Sequence, residues 1–342
     1  MDAMTTADRT VTIPVIDRRI PRFGRFVISA VVYGVVIPLN WLLTRLGFPS
    51  LFISLMRRMG RKDRWVKVFA GYEPTRHDVF VSTYAKSGTN WMMQIAHQVA
   101  FRGEGEYENI HDVVSWPDMD NPRRRMSPRL DDTNVWRASP TGLRVVKTHL
   151  AARFVPYSEK AHYAVVIRDP KDVFVSSYYF AGGAAGPMMP TPDVWFELFI
   201  SGRFPLDFGS SWAEHTAGYW AMRDRPNVLV QLFRDMKRDR EAAVRRVAEL
   251  LGVELSPAEF ARVVEKSAFD YMKSINGKFS PMAPGSLPWA GGFTMMRSGR
   301  SGGSGEMLSP EQQAQIDAYC QAELERLGSD FPYAETFGPR AT

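Results

Sequence analysis

The sequence predicts an α/β fold: a single domain with a central parallel sheet flanked by helices, plus an apolar N-terminal helical segment. Three observations predict it. From residue 78 onward, short runs rich in Val, Ile, Leu and Tyr alternate with helical patterns. Two of those runs pass into a helix start through a junction that carries a cation. Near the N-terminus, 19 consecutive residues, 26–44, bear no charge. The 342 residues and their 45% hydrophobic content suffice for one large core. Lys plus Arg is 43 and Asp plus Glu is 37, a net of +6, which suits an anionic ligand or a membrane surface. The excess is too mild and too evenly spread to argue for nucleic acid. Cys320 is the single cysteine, so no intrachain disulfide forms, and its helical surroundings without a nearby His read as a buried structural thiol. No ligand cluster for a metal is evident.

The chain divides at about residue 63. Residues 1–24 are polar and irregular, with Arg18, Arg19 and Arg22. The uncharged run 26–44 is near the lower limit for a bilayer-spanning helix, and Pro38 and Asn40 interrupt it. A second apolar run, 46–56, follows Arg45 and contains Gly47 and Pro49. Both flanks are basic, so charge gives no orientation for one span. No small-residue cleavage site follows, which argues against a secretory leader. Two readings of 26–56 stay open. It is a shallow hairpin or in-plane helix on a membrane, or a soluble helical extension packed on the domain.

Residues 64–335 form the α/β domain. A strand over 79–84 leads through Tyr84-Ala85-Lys86-Ser87-Gly88-Thr89-Asn90-Trp91 into a helix over 90–101. A small-residue loop at a helix start aims backbone N–H groups at an anion. Lys86 adds a full charge, and Ser87, Thr89 and Asn90 add donors. A nucleotide-triphosphate loop would read G-x-x-x-x-G-K-[ST]; here the Lys precedes the Gly and the first Gly is missing. The strand over 143–147 ends in Lys147-Thr148-His149-Leu150. Alternation puts Lys147 and His149 on one side of the extended chain, and a His of ordinary basicity can take a proton from an alcohol. The strand over 163–168 ends at Arg168, where α/β folds place ligand contacts. The helix over 169–180 starts at Asp169-Pro170 and carries Ser176 two turns on. A strand over 228–233 and an amphipathic helix over 238–251 follow. Ser256 with Glu259, and Ser309 with Gln312, form capping boxes that open two more helices. The last helix stops at Gly328, and residues 298–305 are Gly-rich.

The Lys86–Trp91 loop after its strand resembles the 5′-phosphosulfate loop of the sulfotransferases that use 3′-phosphoadenosine-5′-phosphosulfate (PAPS), of the cytosolic type. That resemblance implies a P-loop nucleotide-hydrolase-like fold over residues 64–333. It implies that Lys86 meets the bridging oxygen of the leaving phosphate and that Trp91 stacks on adenine. Arg168, Asp169, Pro170, Asp172 and Ser176 are similar to the family's 3′-phosphate signature, R-[ND]-P-x-D-x-x-x-S. The family's Lys-x-His-Leu implies His149 as catalytic base, with Lys147 on the sulfuryl oxygens. Phe233 stands where the family has an adenine-contacting Tyr, and Arg234 where it has Glu. Ser267-Ala268-Phe269 matches an adenine contact. Arg297-Ser298-Gly299 resembles the closing loop R-K-G-x-x-G, with Ser298 in place of Lys and Arg300 as a compensating cation. Gly303-Ser304-Gly305 replaces the Trp-Lys of a dimer motif, which leaves the oligomeric state open.

The expected reaction is sulfuryl transfer from PAPS to an acceptor hydroxyl, without a metal. Trp116, Trp195 and Phe196, with Phe199, Phe204 and a loop over 181–192, are expected to bind the acceptor. Beside a membrane-seeking segment, a hydrophobic alcohol or lipid is favoured, with a soluble phenol or sterol-like compound still open. The catalytic domain is expected to face the cytoplasm, where the donor is made. Two rival readings are a P-loop-type kinase, which needs the missing Gly, and a membrane-anchored scaffold, which leaves three ordered anion motifs unexplained.

Overall fold

The computed structural model describes residues 13–46, 62–119, 125–282, 286, 294–299 and 301–338. Five parallel strands form the sheet: β1 (Asp78–Thr83), β2 (Val114–Ser115), β3 (Arg144–Thr148), β4 (His162–Ile167) and β5 (Val228–Leu232), in the order β2-β3-β1-β4-β5. β1 is buried along its whole length, as expected for a strand covered on both faces. Ser82 pairs in register with Thr148 on one side and Val165 on the other. The chain runs from β1 towards β3 and then crosses back to β4, so a crevice opens at the carboxyl ends of these three strands.

A long N-terminal helix, α1, runs as Arg22–Val31, continues through a π-helical stretch Val32–Val36, and ends as Ile37–Arg45. The other main helices are α2 (Thr89–Ala100), α3 (Pro170–Ala185), α4 (Pro192–Ile200), α5 (Trp212–Trp220), α6 (Arg240–Leu250), α7 (Pro257–Lys266) and α8 (Pro310–Arg326). Side-chain alternation splits the core. Val79, Val81, Ala164 and Val166 face α2, α6 and α7. Val165 and Ile167 face α3, α4, α5 and α8. The predicted capping boxes at Ser256 and Ser309 both form, and Asp169 caps α3 by accepting from the N–H of Lys171 at 2.9 Å. Cys320 lies fully buried on α8, and burial pushes its thiol well above the ordinary range.

The aromatic stretch after α3 differs from the expectation. Trp195 is 0% exposed. Its indole N–H donates to Ser177 Oγ at 2.9 Å, and its ring meets Phe204 at 4.9 Å. Phe196 packs on Phe174 at 6.1 Å. These side chains face inward because α4 is a helix whose apolar stripe closes the second core, not an extended lining segment. The 181–192 segment is also not loop throughout: α3 continues to Ala185, since Ala181 and Ala185 are packed into that core despite Gly182 and Gly183.

The N-terminal segment is fastened to the domain. Arg18 and Asp112 form an ion pair at 2.8 Å, each side chain only 5% exposed. Asp112 also accepts from the N–H of Ile16 at 3.0 Å. Of the second apolar run, 46–56, all but residue 46 lies outside the described residues.

Candidate active site

Three strand ends supply the site. After β1 the chain turns through Lys86 (φ 69°) and Gly88 (φ 106°), both in the left-handed region, before α2 begins. Gly88 has to be glycine for a second reason: a Cβ there would lie 2.7 Å from the Phe233 ring. The turn points Lys86 back over the crevice, with Nζ 4.0 Å from the Phe180 ring centroid. Burial, followed by the nearby Arg168 charge, pushes its ammonium down to about 7. Thr89 Oγ1 meets Thr83 Oγ1 at 2.5 Å and ties the loop to the strand. The Trp91 indole donates to the Ser267 carbonyl at 2.9 Å and stands edge-on to Phe233 at 5.6 Å. Phe269 closes against Gly299, where a Cβ would lie 2.6 Å from its ring.

At the end of β3, Lys147 is buried with Nζ 3.2 Å from the centroid of Trp116. Burial lowers it to about 7, with Asp118 opposing and Lys86 adding to the fall. His149 sits between Trp116 (5.8 Å) and Phe208 (4.9 Å). Its Nδ1 lies 2.9 Å from the Thr83 carbonyl oxygen. That oxygen only accepts, so Nδ1 carries the hydrogen and Nε2 keeps its lone pair. Burial, then the Lys147 charge, holds the imidazole well below its usual range, so it is neutral near pH 7. Asp118 was not among the residues singled out from sequence. Its carboxylate accepts from Thr148 Oγ1 at 2.9 Å and from the His149 N–H at 2.6 Å, and burial raises it to about 6.

At the end of β4, Arg168 donates to the Lys86 carbonyl at 3.0 Å and lies 3.8 Å from Asp172. Its guanidinium is 4.6 Å from the Phe233 centroid. Asp172 also accepts from the N–H groups of Gly302 (3.0 Å) and Gly303 (3.2 Å), which fastens the Gly-rich loop over α3. Arg297 lies over Tyr179 at 4.2 Å and pairs with Glu306 at 2.5 Å.

All of this surrounds one cavity of about 400 Å³. Among the predicted residues, Lys86, Gly88, Thr89, Asn90 and Trp91 line it from the first loop. Lys147, His149 and Trp116 line it from the β3 side, and Arg168 and Ser176 from the β4 side. Phe233, Ser267, Phe269, Arg297, Ser298 and Gly299 complete the wall. Ser87 does not reach it and is buried below the loop, with no partner for its Oγ among the described residues. Trp195 and Phe196 stay in the core, and Arg300 lies outside the described residues. Sequence reasoning missed Tyr179, Phe180, Leu206 and Phe208, as well as Lys237 and Arg240. Tyr179 and Phe180 had a signal: they stand three and four positions after Ser176 and so share its helix face. No Asp or Glu lines the cavity among the described residues, whereas six Lys and Arg do, so the chemistry fits a polyanion.

A family model described as a sulfotransferase domain matches residues 76–328, most of the chain. The chain belongs to the sulfotransferase family. Mouse sulfotransferase 2A6 is 31% identical over 254 residues, covering 72% of this chain and 84% of that protein. Rabbit sulfotransferase 1C2 is 26% identical over 281 residues, covering 79% of this chain and 90% of that protein. Among solved structures, retinol dehydratase with retinol and PAP superposes with a TM-score of 0.61 at 22% identity, covering 80% of this chain and 87% of that one. Mouse sulfotransferase SULT7A1 with PAP gives 0.56 at 20% identity, covering 77% and 88%. The sulfotransferase fold is thus shared, and the kinase and scaffold readings fall away. This sulfotransferase is an enzyme whose donor is PAPS, and the cationic cavity suits the charge of that donor.

Proposed function

We propose that this sulfotransferase moves the sulfuryl group of PAPS onto the hydroxyl of a hydrophobic small molecule or lipid, with His149 as general base. The observation that carries the reading is the setting of His149: Nδ1 is engaged by Thr83, Nε2 keeps its lone pair, and the ring is neutral near pH 7. His149 takes the acceptor's hydroxyl proton on Nε2. The acceptor oxygen bonds to sulfur as the bond from sulfur to the bridging oxygen breaks, and that electron pair stays on the departing phosphate. Lys86 and Lys147 offset negative charge on the leaving and transferring oxygens. Arg168, Ser176 and Arg297 are assigned to the 3′-phosphate, and Trp91, Phe233, Ser267 and Phe269 to adenine.

Trp116 and Phe208 flank His149, and Phe180 and Leu206 line the same cavity, an apolar lining that supports an apolar acceptor. Retinol dehydratase, of similar fold, is described with retinol and with androsterone, both apolar alcohols. Association with the cytoplasmic face of a membrane through 26–56 belongs to the same reading.

Calorimetric titration with 3′-phosphoadenosine-5′-phosphate (PAP) against ADP, repeated on Arg168→Ala, tests the donor site. PAP is expected to bind well, ADP poorly, and the variant to lose the distinction. Equal binding of ADP by the unaltered protein would refute the assignment.

A further inference from the structure

We infer that α1 lies in the plane of a lipid leaflet as a one-sided anchor, and that the acceptor is a membrane-resident amphiphile taken up from that leaflet. The acceptor half rests on the sulfotransferase reading above; the anchor half stands on the helix, its attachments and the charge of its segment. Arg22–Leu43 is a 22-residue helix apolar enough to cross a membrane, yet only 6% of its most apolar window is buried. Phe23, Val27, Val31, Val35, Leu39 and Leu42 recur every three or four residues, and all are exposed, Phe23 at 77%. An apolar stripe of that length in water is a binding surface.

Its two flanks decide how it meets a bilayer. Before the helix, Arg18 is held by the buried pair with Asp112 and donates to the Met126 carbonyl at 3.1 Å. After it, Arg64 donates to the Asp118 carbonyl at 3.2 Å, and Trp65 packs on Phe208 at 5.4 Å. Both attachments are to the acceptor side of the site: His111, next to Asp112, stacks on Trp116 at 5.1 Å, and Phe208 touches His149. A helix of 22 residues is about 33 Å long, so one crossing would carry a flank to the far side of the bilayer. A return crossing has only the 46–56 run, which as a helix spans about 17 Å, short of the ~30 Å hydrocarbon core. With both flanks held on one face, α1 lies flat. Its stretch Ile37–Arg45 packs against the Gly186–Met188 turn, which follows α3 about 9 Å beyond Phe180 in the cavity wall.

The occupant is a bilayer rather than a protein because of charge and aromatic placement. Residues 18–62 contain nine Lys and Arg and no Asp or Glu. Trp41 is 57% exposed with Arg45 stacked on it at 4.4 Å, and Tyr33 is 50% exposed. Arginine beside an interfacial aromatic on an apolar helix suits anionic headgroups.

The test floats full-length protein with phosphatidylcholine vesicles, plain or carrying roughly a third phosphatidylglycerol. Flotation with the anionic vesicles, lost in Phe23→Glu/Leu42→Glu while PAP affinity is kept, is expected. External protease should still remove an N-terminal tag from bound protein. No flotation with either vesicle, or a protected tag, would overturn the anchor. The acceptor half is read as sulfuryl transfer to dodecylphenol in the same vesicles and to dissolved naphthol. The double variant should lose at least tenfold on the first and keep the second; equal loss on both would overturn delivery from the leaflet. Absence of PAP binding in the unaltered protein would instead fault the sulfotransferase reading, and flotation would still report on the anchor.

Discussion

Thr83 and Asp118 grip the His149 residue at two points, the ring through Nδ1 and the backbone through its N–H. On the role proposed for His149, His149→Ala should lower kcat by roughly 10²- to 10⁴-fold, with calorimetric PAP affinity unchanged. Asp118→Asn keeps the size but gives up one acceptor, so β3 should lose its fixed end. The expected result is a fall in kcat of roughly ten- to a hundredfold, the scale of a misplaced base, with KM for PAPS unchanged. A second consequence is a pH dependence. Lys86 and Lys147 sit at about 7 without donor, cationic below that pH and neutral above it. A bound polyanion favours their charged forms. KM for PAPS should therefore rise as pH climbs through about 7, while kcat stays level; a KM flat from about pH 6 to 9 would contradict it. His149 and Lys147 stood out in the sequence through the resemblance of Lys-x-His-Leu to the family motif, with alternation at the end of β3 placing both on one side. Asp118 was not, because it reaches His149 from 31 residues away and nothing in Trp-Pro-Asp marks it.

Among elements, the strand-to-helix junctions define the site most tightly. Gly88→Ala would add a Cβ 2.7 Å from Phe233 at φ 106°. Strain of about 1–3 kcal/mol is expected at such a backbone position. Thermal unfolding should register it, and PAP affinity should fall, because Phe233 must leave the slot it shares with Trp91. Phe233→Leu in the same chain should recover part of the loss by clearing the contact. These junctions were plain in the sequence, as were the capping boxes at Ser256 and Ser309. The helices α4 and α5 were passed over, although Ser211 and Glu214 form a capping box of the same kind. Dense aromatics there read as a ligand wall, yet Trp195 and Phe196 serve the core. Periodicity separates apolar from polar faces but not one apolar destination from another. The edge strand β2 has only two residues, too few for any pattern.

At the scale of the molecule, alternation of strands and helices announced a parallel sheet, but the order β2-β3-β1-β4-β5 depends on crossovers that no local pattern records. Nor does composition reveal that Arg18 folds back onto Asp112 and fastens the N-terminal segment to the domain. The fully buried Cys320 gives this scale its own prediction. A thiol that is both shut away and hard to ionise reacts only when α8 leaves the core. Modification by a coloured disulfide reagent should be negligible in the native protein and complete in denaturant. As the chain's one cysteine, it makes this molecule its own chemical clock: the labelling rate in dilute denaturant counts openings of the second core, with no engineered probe.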